Sequence, residues 1–119
     1  MMIERMIMMK TAIATLLEKI KTDYKESLFN MPYEGDEMPP HRLEMLSSFE
    51  AGLEVAEGSK YIKILSNRAA WGFVVKGETD KRFKQGTLLK ANSWASPARN
   101  FGRANILDNS DYSVYWTGA

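Results

Sequence analysis

The sequence predicts an α+β fold in which two N-terminal helices precede a small antiparallel β-sheet, or partly open barrel, of about five strands. Apolar residues recur at helical spacing up to about residue 58, and the period shortens to that of strands from residue 60 to residue 118. Short segments rich in Gly, Asn and Ser separate the strands, as is typical of antiparallel pairing. With 119 residues, the chain is long enough for a single domain, residues 1–119.

The first helix is predicted over residues 3–28, where an apolar side chain returns about every 3.6 positions. These apolar residues are Ile3, Met6, Ile7, Ile13, Leu17, Ile20, Tyr24 and Leu28. Met6, Ile13 and Ile20 are spaced by seven residues. That spacing suits helix pairing in a dimer, and the same helix is equally suited to packing on its own domain.

A second helix is predicted to begin at Pro40 and to end before Gly58, which is placed as a C-terminal cap. Its buried face would carry Leu43, Leu46, Phe49, Leu53 and Ala56. The preceding residues 30–39 are predicted to form a loop, because Pro and Gly interrupt them. The acidic residues of this loop match no calcium-binding spacing, so we expect a solvated turn.

The remaining segments are predicted to form strands. They are Tyr61–Leu65, Trp71–Lys76, Leu88–Ala91, Ala104–Leu107 and Tyr112–Thr117. Turns are expected at Ser66–Ala69 and Asn109–Asp111, and a basic hairpin tip at Gly77–Lys84. A strict period of two would place Trp71, Phe73 and Val75 on one face of their strand.

Composition and motifs favour a binding protein over an enzyme. The chain has no cysteine and a single histidine, which excludes disulfides, thiol nucleophiles and cysteine-based zinc sites. No zinc-protease, serine-hydrolase or phosphate-loop motif occurs, and no nucleophile is paired with a base. We therefore predict no catalytic residue, no metal and no cofactor. The opening segment MMIERMIMM is too short and too charged for a membrane span, so we expect a cytoplasmic protein.

Charge is distributed unevenly between the two halves. Residues 1–59 contain 6 Lys and Arg against 11 Asp and Glu, a net charge of −5, and residues 60–119 contain 10 against 4, a net charge of +6. The halves either attract each other, within or between subunits, or the basic half faces an anion.

The segment from Asn92 to Leu107, NSWASPARNFGRANIL, is the strongest functional candidate. Pro and Gly give it an irregular path, and one helical turn from Ala98 would place Arg99 and Arg103 on one face. Arginine binds phosphate well because its planar fork donates two parallel hydrogen bonds. Two interpretations stay open: the arginines hold the phosphates of a nucleotide-like ligand, or they pair with acidic residues and fix the loop.

Aromatic and basic residues are interleaved throughout the β half. The aromatic residues are Trp71, Phe73, Phe83, Trp94 and Phe101, among Arg68, Lys76, Lys81, Arg82, Lys84, Lys90, Arg99 and Arg103. Stacking of a base on an aromatic side chain contributes about 1–3 kcal/mol. Trp71 is suited to the core or to stacking, and Trp94, in a loop, is the better candidate for an exposed ring.

The order of these motifs resembles the Thoeris anti-defense protein 1 family, which is encoded by phages. The resemblance lies in a helical first half, WGFVV, the strand start Gly86–Lys90, SWASPARNFGRANI and a closing YWTGA. It implies a sponge that binds cyclic ADP-ribose isomers made by TIR-domain immune proteins and releases them unaltered. It also implies a homodimer that assembles further, and some members bind cyclic oligonucleotides.

The resemblance implies specific binding residues. Arg99 and Arg103 match the phosphate-binding arginines, and Trp71 or Phe73 would stack on the adenine. A further arginine would be Arg42 or Arg68, and an asparagine at the base edge would be Asn92, Asn100 or Asn105.

Two other functions stay open from the residues alone. One is a DNA- or RNA-binding module that uses the basic β half. The other is an inhibitor that binds another protein through the Met-rich N-terminal helix.

Overall fold

The computed structural model describes residues 2–35 and 37–119 and contains two helices, α1 (Met2–Phe29) and α2 (Pro40–Ala51). The strands are β1 (Leu53–Glu57), β2 (Tyr61–Ser66), β3 (Ala69–Val75), β4 (Thr87–Lys90) and β5 (Ala104–Asn105). The predicted α+β class is confirmed. Asp36, in the predicted acidic loop, lies outside the described residues, as does Met1.

The five strands form one antiparallel sheet in the order β1-β2-β3-β4-β5. Each strand therefore pairs with its neighbour in sequence, and β1 and β5 are the edges of an open sheet. The β2–β3 hairpin turns through Asn67 and Arg68, whose φ angles of 49° and 70° are those of a two-residue type I′ turn. This turn confirms the one predicted at Ser66–Ala69.

Helix α1 covers one face of the sheet. Its Met9, Ile13, Leu16 and Ile20 are buried at intervals of three to four residues, so they form one continuous stripe. This stripe packs on residues from four strands or their ends, namely Ile62, Ile64, Trp71, Val74, Leu88 and Ile106. Within the described residues, neither helix carries a stretch long and apolar enough to cross a membrane.

Near its C-terminal end, α1 also contacts α2 and the end of the chain. The rings of Tyr24 and Phe49 stack with centroids 4.0 Å apart, and Trp116 meets both of them edge-on. Arg42 of α2 donates hydrogen bonds to the carbonyl groups of Leu28 and Met31 at the end of α1. Leu28 lies in the last turn of α1 and Met31 two residues beyond its end, so Arg42 holds the chain where it leaves the helix.

The second predicted helix is wrong beyond Ala51. The chain turns at Gly52, and Leu53–Glu57 pairs with β2 as strand β1. A short run such as LEVAE fits either period, so pairing with β2 decides its conformation. Gly58 is not a helix cap, because its N–H donates to the Tyr61 carbonyl in the β1–β2 turn.

The buried face predicted for the second helix is also wrong. Leu43 is exposed, whereas Leu46 and Phe49 are half-buried. Of the two residues predicted beyond Ala51, Leu53 is half-buried in β1 and Ala56 is exposed there. The helix is therefore held mainly by its contacts with α1.

The predicted strand Tyr112–Thr117 does not form. This segment contains a single bridge, Tyr115 with Gly118, and it closes the end of the α1 face instead. Its Trp116 N–H donates to Asp23 of α1 at 2.8 Å, and its Tyr115 carbonyl accepts from the Trp71 indole at 2.9 Å. Contacts with the helix and the core thus replace a strand ladder.

A β-bulge at Trp71 changes which side chains share a face. Ile64 pairs with Gly72 but Leu65 pairs with Ala70, so Trp71 is the extra residue of β3. Trp71 consequently packs in the α1-facing core, whereas Phe73 and Val75 pack with Leu89 on the opposite face. The prediction that Trp71 shares a face with Phe73 and Val75 is wrong because it assumed an unbroken period.

The turn before β4 requires glycine. Gly86 has a φ of 88°, and a Cβ there would lie 2.7 Å from Leu107 Cγ. We expect Gly86→Ala to lower the free energy of unfolding by about 1–3 kcal/mol, measured by urea denaturation. The control Gly77→Ala adds a Cβ that meets nothing closer than 4.0 Å, so it should change stability by less than about 0.5 kcal/mol. Equal effects of the two substitutions would contradict the requirement for glycine at position 86.

Candidate functional site

A cleft opens beside Tyr61 on the sheet face opposite α1. It has a volume of about 470 Å³, and an adjoining depression of about 360 Å³ shares Ser59, Lys60 and Tyr61 with it. We call the two together the Tyr61 cleft. Its functional side chains are those of Lys60, Tyr61, Lys63, Asp80, Lys81 and Arg99.

Three segments build this cleft: the start of β2, the loop after β3, and residues 91–103. The last of these is tied to β4, since Ala98 N–H donates to the Lys90 carbonyl at 2.7 Å and Arg103 N–H to the Leu88 carbonyl at 2.8 Å. The helical turn predicted from Ala98 does not form. Pro97 makes an isolated bridge with Ala91, and the backbone between Ala98 and Arg103 loops out from β4, because these residues bond to Lys90 and Leu88, which are only two positions apart.

Arg99 is held on several sides. Its Nη1 and Nη2 donate to Asp80 Oδ2 and Oδ1 at 2.8 and 3.0 Å, an end-on bidentate pair. Nη1 also donates to the Tyr61 hydroxyl at 2.5 Å. The Phe83 ring lies against the guanidinium, with its centroid 5.1 Å from Cζ. The guanidinium therefore has a fixed orientation at the edge of the cleft.

Asp80 is fixed by its own loop as well as by Arg99. Its Oδ1 accepts the backbone N–H groups of Arg82 and Phe83 at 2.8 and 2.9 Å. The hydrogen bonds from Arg99, and then those from Phe83 and Arg82, hold the pKa of Asp80 far below its ordinary value of 3.8. The hydrogen bond to Asp80 likewise raises the pKa of Arg99. The pair is therefore ionised at neutral pH.

The structure places Arg103 differently from Arg99. Its Cζ lies 4.6 Å from the centroid of the Phe101 ring, and both residues are exposed. Across residues 2–35 and 37–119, no carboxylate lies within ion-pair distance of Arg103. Arg99 has the acidic partner that the loop-fixing interpretation requires, whereas Arg103 does not, and only Arg99 lines the Tyr61 cleft.

Trp94 is the exposed aromatic residue beside this face. The residue is 61% exposed, and its indole N–H donates to the Arg68 carbonyl at 3.0 Å. The Lys63 ammonium lies 3.2 Å from the ring centroid and covers one ring face. Lys63 also lines the cleft, so this contact joins the indole to the cleft wall.

Trp71 and Phe73 are core residues. Trp71 is 3% exposed on the α1-facing side of the sheet, away from the Tyr61 cleft. Phe73 is also buried, and its ring meets Tyr61 at a centroid distance of 6.0 Å. Neither ring has an exposed face on which a base can stack.

The two candidates for a further arginine lie on different elements. Arg42 donates to the end of α1 and to the loop that follows it, where the Pro32 carbonyl accepts at 2.7 Å. It does not line the Tyr61 cleft. Arg68 is exposed in the β2–β3 turn, and its carbonyl is the acceptor that orients Trp94.

None of the three asparagine candidates is among the residues that line the Tyr61 cleft. The Asn105 side chain donates to the Gln85 carbonyl at 3.0 Å and accepts the Leu107 N–H at 2.9 Å, which fixes the turn after β5. Asn92 and Asn100 are exposed in the loop that follows β4. Asn100 contributes its carbonyl to a hydrogen bond from Arg82.

Sequence reasoning missed Tyr61 and Asp80 as site residues. Tyr61 has the pattern of an ordinary strand residue, and Asp80 is hidden in a hairpin tip described as basic. The sequence contains one signal for Asp80. Residues 60–119 have only 4 acidic residues, so few carboxylates of this half were available to pair with the arginines of residues 92–107. The position of Tyr61 follows only from the register of β2 and β3.

Comparison with protein-family models, with curated proteins and with solved structures finds no match to this chain. The functional interpretation therefore rests on the geometry of the Tyr61 cleft and on the sequence motifs of the β half.

The depressed pKa of Asp80 predicts how the ion pair contributes to stability as pH changes. A carboxyl with a lowered folded-state pKa stabilises the fold above its unfolded value, near 3.8, and loses that contribution as pH falls further. We expect Asp80→Asn to lower the melting temperature at neutral pH, and the gap to wild type to shrink between about pH 4 and pH 2. Thermal unfolding followed by circular dichroism measures both quantities.

The control for this prediction is Asp108→Asn. Asp108 pairs with the exposed Lys84, at 3.1 Å, so its substitution should have a smaller effect at neutral pH. A gap between Asp80→Asn and wild type that does not change with pH would contradict the role given to the Asp80 carboxylate.

Proposed function

We propose that the protein binds a small phosphate-bearing nucleotide in the Tyr61 cleft and sequesters it without converting it. The observation that carries this proposal is the fixed guanidinium of Arg99 at a cleft that also presents Lys60 and Lys81. An oriented arginine fork binds phosphate through two hydrogen bonds, and lysines add positive charge without a fixed geometry. A cleft of about 470 Å³ lies within the range of small-molecule sites.

Trp94 is the residue proposed to bind the base. One face of its ring is covered by Lys63, and the residue is largely exposed, so the other face is open to stacking. Its indole N–H is already satisfied by the Arg68 carbonyl, which orients the ring before any ligand arrives. Trp94 thus takes the role that the family resemblance implied for Trp71 or Phe73.

The resemblance to the Thoeris anti-defense protein 1 family supports a particular ligand class. We propose a cyclic ADP-ribose isomer, with cyclic oligonucleotides as further ligands, withheld from Thoeris-type immunity in the host cytoplasm. Sequestration requires tight binding and no bond breaking. Cations, a hydroxyl and an aromatic platform suffice for that task, and these are the groups in and beside the cleft.

Two substitutions test this proposal by calorimetric titration with cyclic ADP-ribose isomers. Arg99→Gln should raise Kd by about 10- to 100-fold, because it removes hydrogen bonds from a charged donor. Trp94→Ala should raise Kd by about 5- to 100-fold through lost stacking, and Trp94→Phe should retain most of the affinity. Lys25→Ala, on an exposed position of α1, is the control and should leave Kd unchanged.

Unchanged affinity in both Arg99→Gln and Trp94→Ala would contradict the proposed site. The second candidate function is single-stranded nucleic-acid binding, and a separate measurement tests it. The exposed pairs Trp94–Lys63 and Phe101–Arg103 support that candidate, since aromatic rings beside cations suit a polynucleotide. Tight binding of a short oligonucleotide that weakens steeply with salt, with no binding of cyclic nucleotides, would establish it.

We also propose that the protein forms a homodimer through the N-terminal part of α1. Ile3, Met6 and Ile7 are exposed there, and Met6 is 58% exposed. An apolar groove of about 450 Å³ lies between this part of α1 and Val55 of β1. A helix surface of this kind is unfavourable in water and is typical of an interface.

The neighbouring edge strand offers a matching geometry. Gly52 and Gly58 hydrogen-bond with residues at the two ends of β2, so the N–H and C=O groups of the odd-numbered residues of β1 point away from the sheet. Antiparallel pairing of two β1 strands about Val55 would place Glu54 opposite Ala56. No two glutamates then face each other directly, whereas the register centred on Glu54 would place two glutamates opposite each other, so the register about Val55 is favoured over that one.

Met6→Glu is expected to convert the proposed dimer to a monomer, because it places a charge in the apolar interface. Light scattering coupled to size-exclusion chromatography measures the mass of each variant. Met8→Glu is the control, since Met8 is similarly exposed but lines a different groove, with Leu107 and Asp108. A monomeric wild type, or the same loss of mass in Met8→Glu, would contradict the proposed interface.

A further inference from the structure

We propose that Asp80 is the positioning residue of the Tyr61 cleft, and that it holds Arg99 end-on so that the adjacent, side-on edge of the guanidinium receives the ligand phosphate. This inference rests on the proposed function. It assigns the phosphate to one edge of one side chain, and it gives Asp80 a role in affinity that its charge alone would not suggest.

Arg99 keeps two N–H donors for a ligand after its hydrogen bonds within the protein are made. A guanidinium has five N–H groups in one plane. Nη1 uses both of its hydrogens, on Asp80 and on Tyr61, and Nη2 uses one on Asp80. Nε–H and the second Nη2–H remain, and within the described residues neither has an acceptor. These two hydrogens lie side by side on one edge, so they form a second fork suited to two phosphate oxygens.

The surroundings of Arg99 leave that edge accessible. The centroid of the Phe83 ring lies 5.1 Å from Cζ, Asp80 occupies the end-on edge, and Tyr61 lies beside Nη1. The Arg99 side chain is nevertheless 39% exposed. None of the three hydrogen bonds of Arg99 uses the side-on edge, so its two donors stay available to a ligand.

Asp80 is placed to orient Arg99 and not to compete for it. Its side chain is only 14% exposed, and its two oxygens accept four hydrogen bonds. Two of these come from the backbone of Arg82 and Phe83. Asp80 cannot swing away to release Arg99 without leaving two backbone donors unpaired, so a ligand binds more readily beside the pair than in place of Asp80.

The positioning role of Asp80 predicts a change in anion affinity opposite to the change that charge alone predicts. Removal of a negative charge next to an anion site should tighten anion binding if electrostatics alone decides the affinity. If Asp80 orients Arg99, its removal instead frees a long side chain that must be immobilised again on binding. We expect Asp80→Asn to raise Kd by about 2- to 10-fold.

The test uses inorganic pyrophosphate as the probe and the arginine Nε–H signals of the intact protein, observed by ¹H–¹⁵N NMR. The Arg99 signal is assigned by its loss in Arg99→Lys. In wild type it should be resolved from those of exposed arginines and should shift on addition of pyrophosphate. In Asp80→Asn it should move toward the exposed arginines, with weaker pyrophosphate binding, while the amide spectrum confirms the fold.

Two further variants complete the design. Asp80→Glu keeps the charge but lengthens the side chain, so its Kd should lie between those of wild type and Asp80→Asn. Asp108→Asn removes a carboxylate from an exposed pair and should leave both the Arg99 signal and Kd unchanged.

The outcomes separate this inference from the function on which it rests. Tighter or unchanged pyrophosphate binding in Asp80→Asn would overturn the positioning role and leave the phosphate site standing. Failure of pyrophosphate to shift the Arg99 signal in wild type would contradict the assignment of the phosphate to the side-on edge of Arg99. Loss of cyclic-nucleotide binding as well, in the calorimetric titrations, would overturn the proposed function itself.

Discussion

The structure depends on one constraint: strand β3 is apolar on both faces, so both faces of a five-stranded sheet must be covered. Gly72, Phe73, Val74 and Val75 are all buried. Helix α1 covers one face with a regular stripe. The other face is covered by the loops on either side of β4, which are held by isolated backbone hydrogen bonds and by side-chain contacts. The bidentate Arg99–Asp80 pair, with Phe83 and Tyr61 around it, joins these two loops.

This division also separates the core from the proposed site. The α1 side contains the continuous apolar core, including Trp71, and its groove lies between the N-terminal part of α1 and Val55. On the opposite side the cover is irregular, so clefts and exposed rings persist next to a shallow apolar cluster of Phe73, Val75 and Leu89. Of the charged side chains that line the Tyr61 cleft, four are basic (Lys60, Lys63, Lys81 and Arg99) and two are acidic (Glu57 and Asp80). Loops fixed on a rigid sheet are a common place for binding sites.

Local periodicity predicted the elements whose conformation follows from their own sequence. Helix α1 and the β2–β3 hairpin follow from long or strongly patterned segments. The sequence misassigned Leu53–Glu57 because a run of five residues is too short to distinguish the two periods, and it could not reveal the bulge that turns Trp71 to the other face. For the site, Arg99 stood out by residue type. Asp80 and Tyr61 did not, because their roles arise from contacts across 19 and 38 residues of sequence.

The central claim is that the cleft holds a cyclic nucleotide immune signal and does not alter it. The most direct test is to purify the protein from cells that make such signals, denature it with heat and analyse the released small molecules by mass spectrometry. We predict release of an intact cyclic ADP-ribose isomer in proportion to the protein. Release of no nucleotide from cells shown to contain the signal, or release of a cleaved product, would contradict the claim.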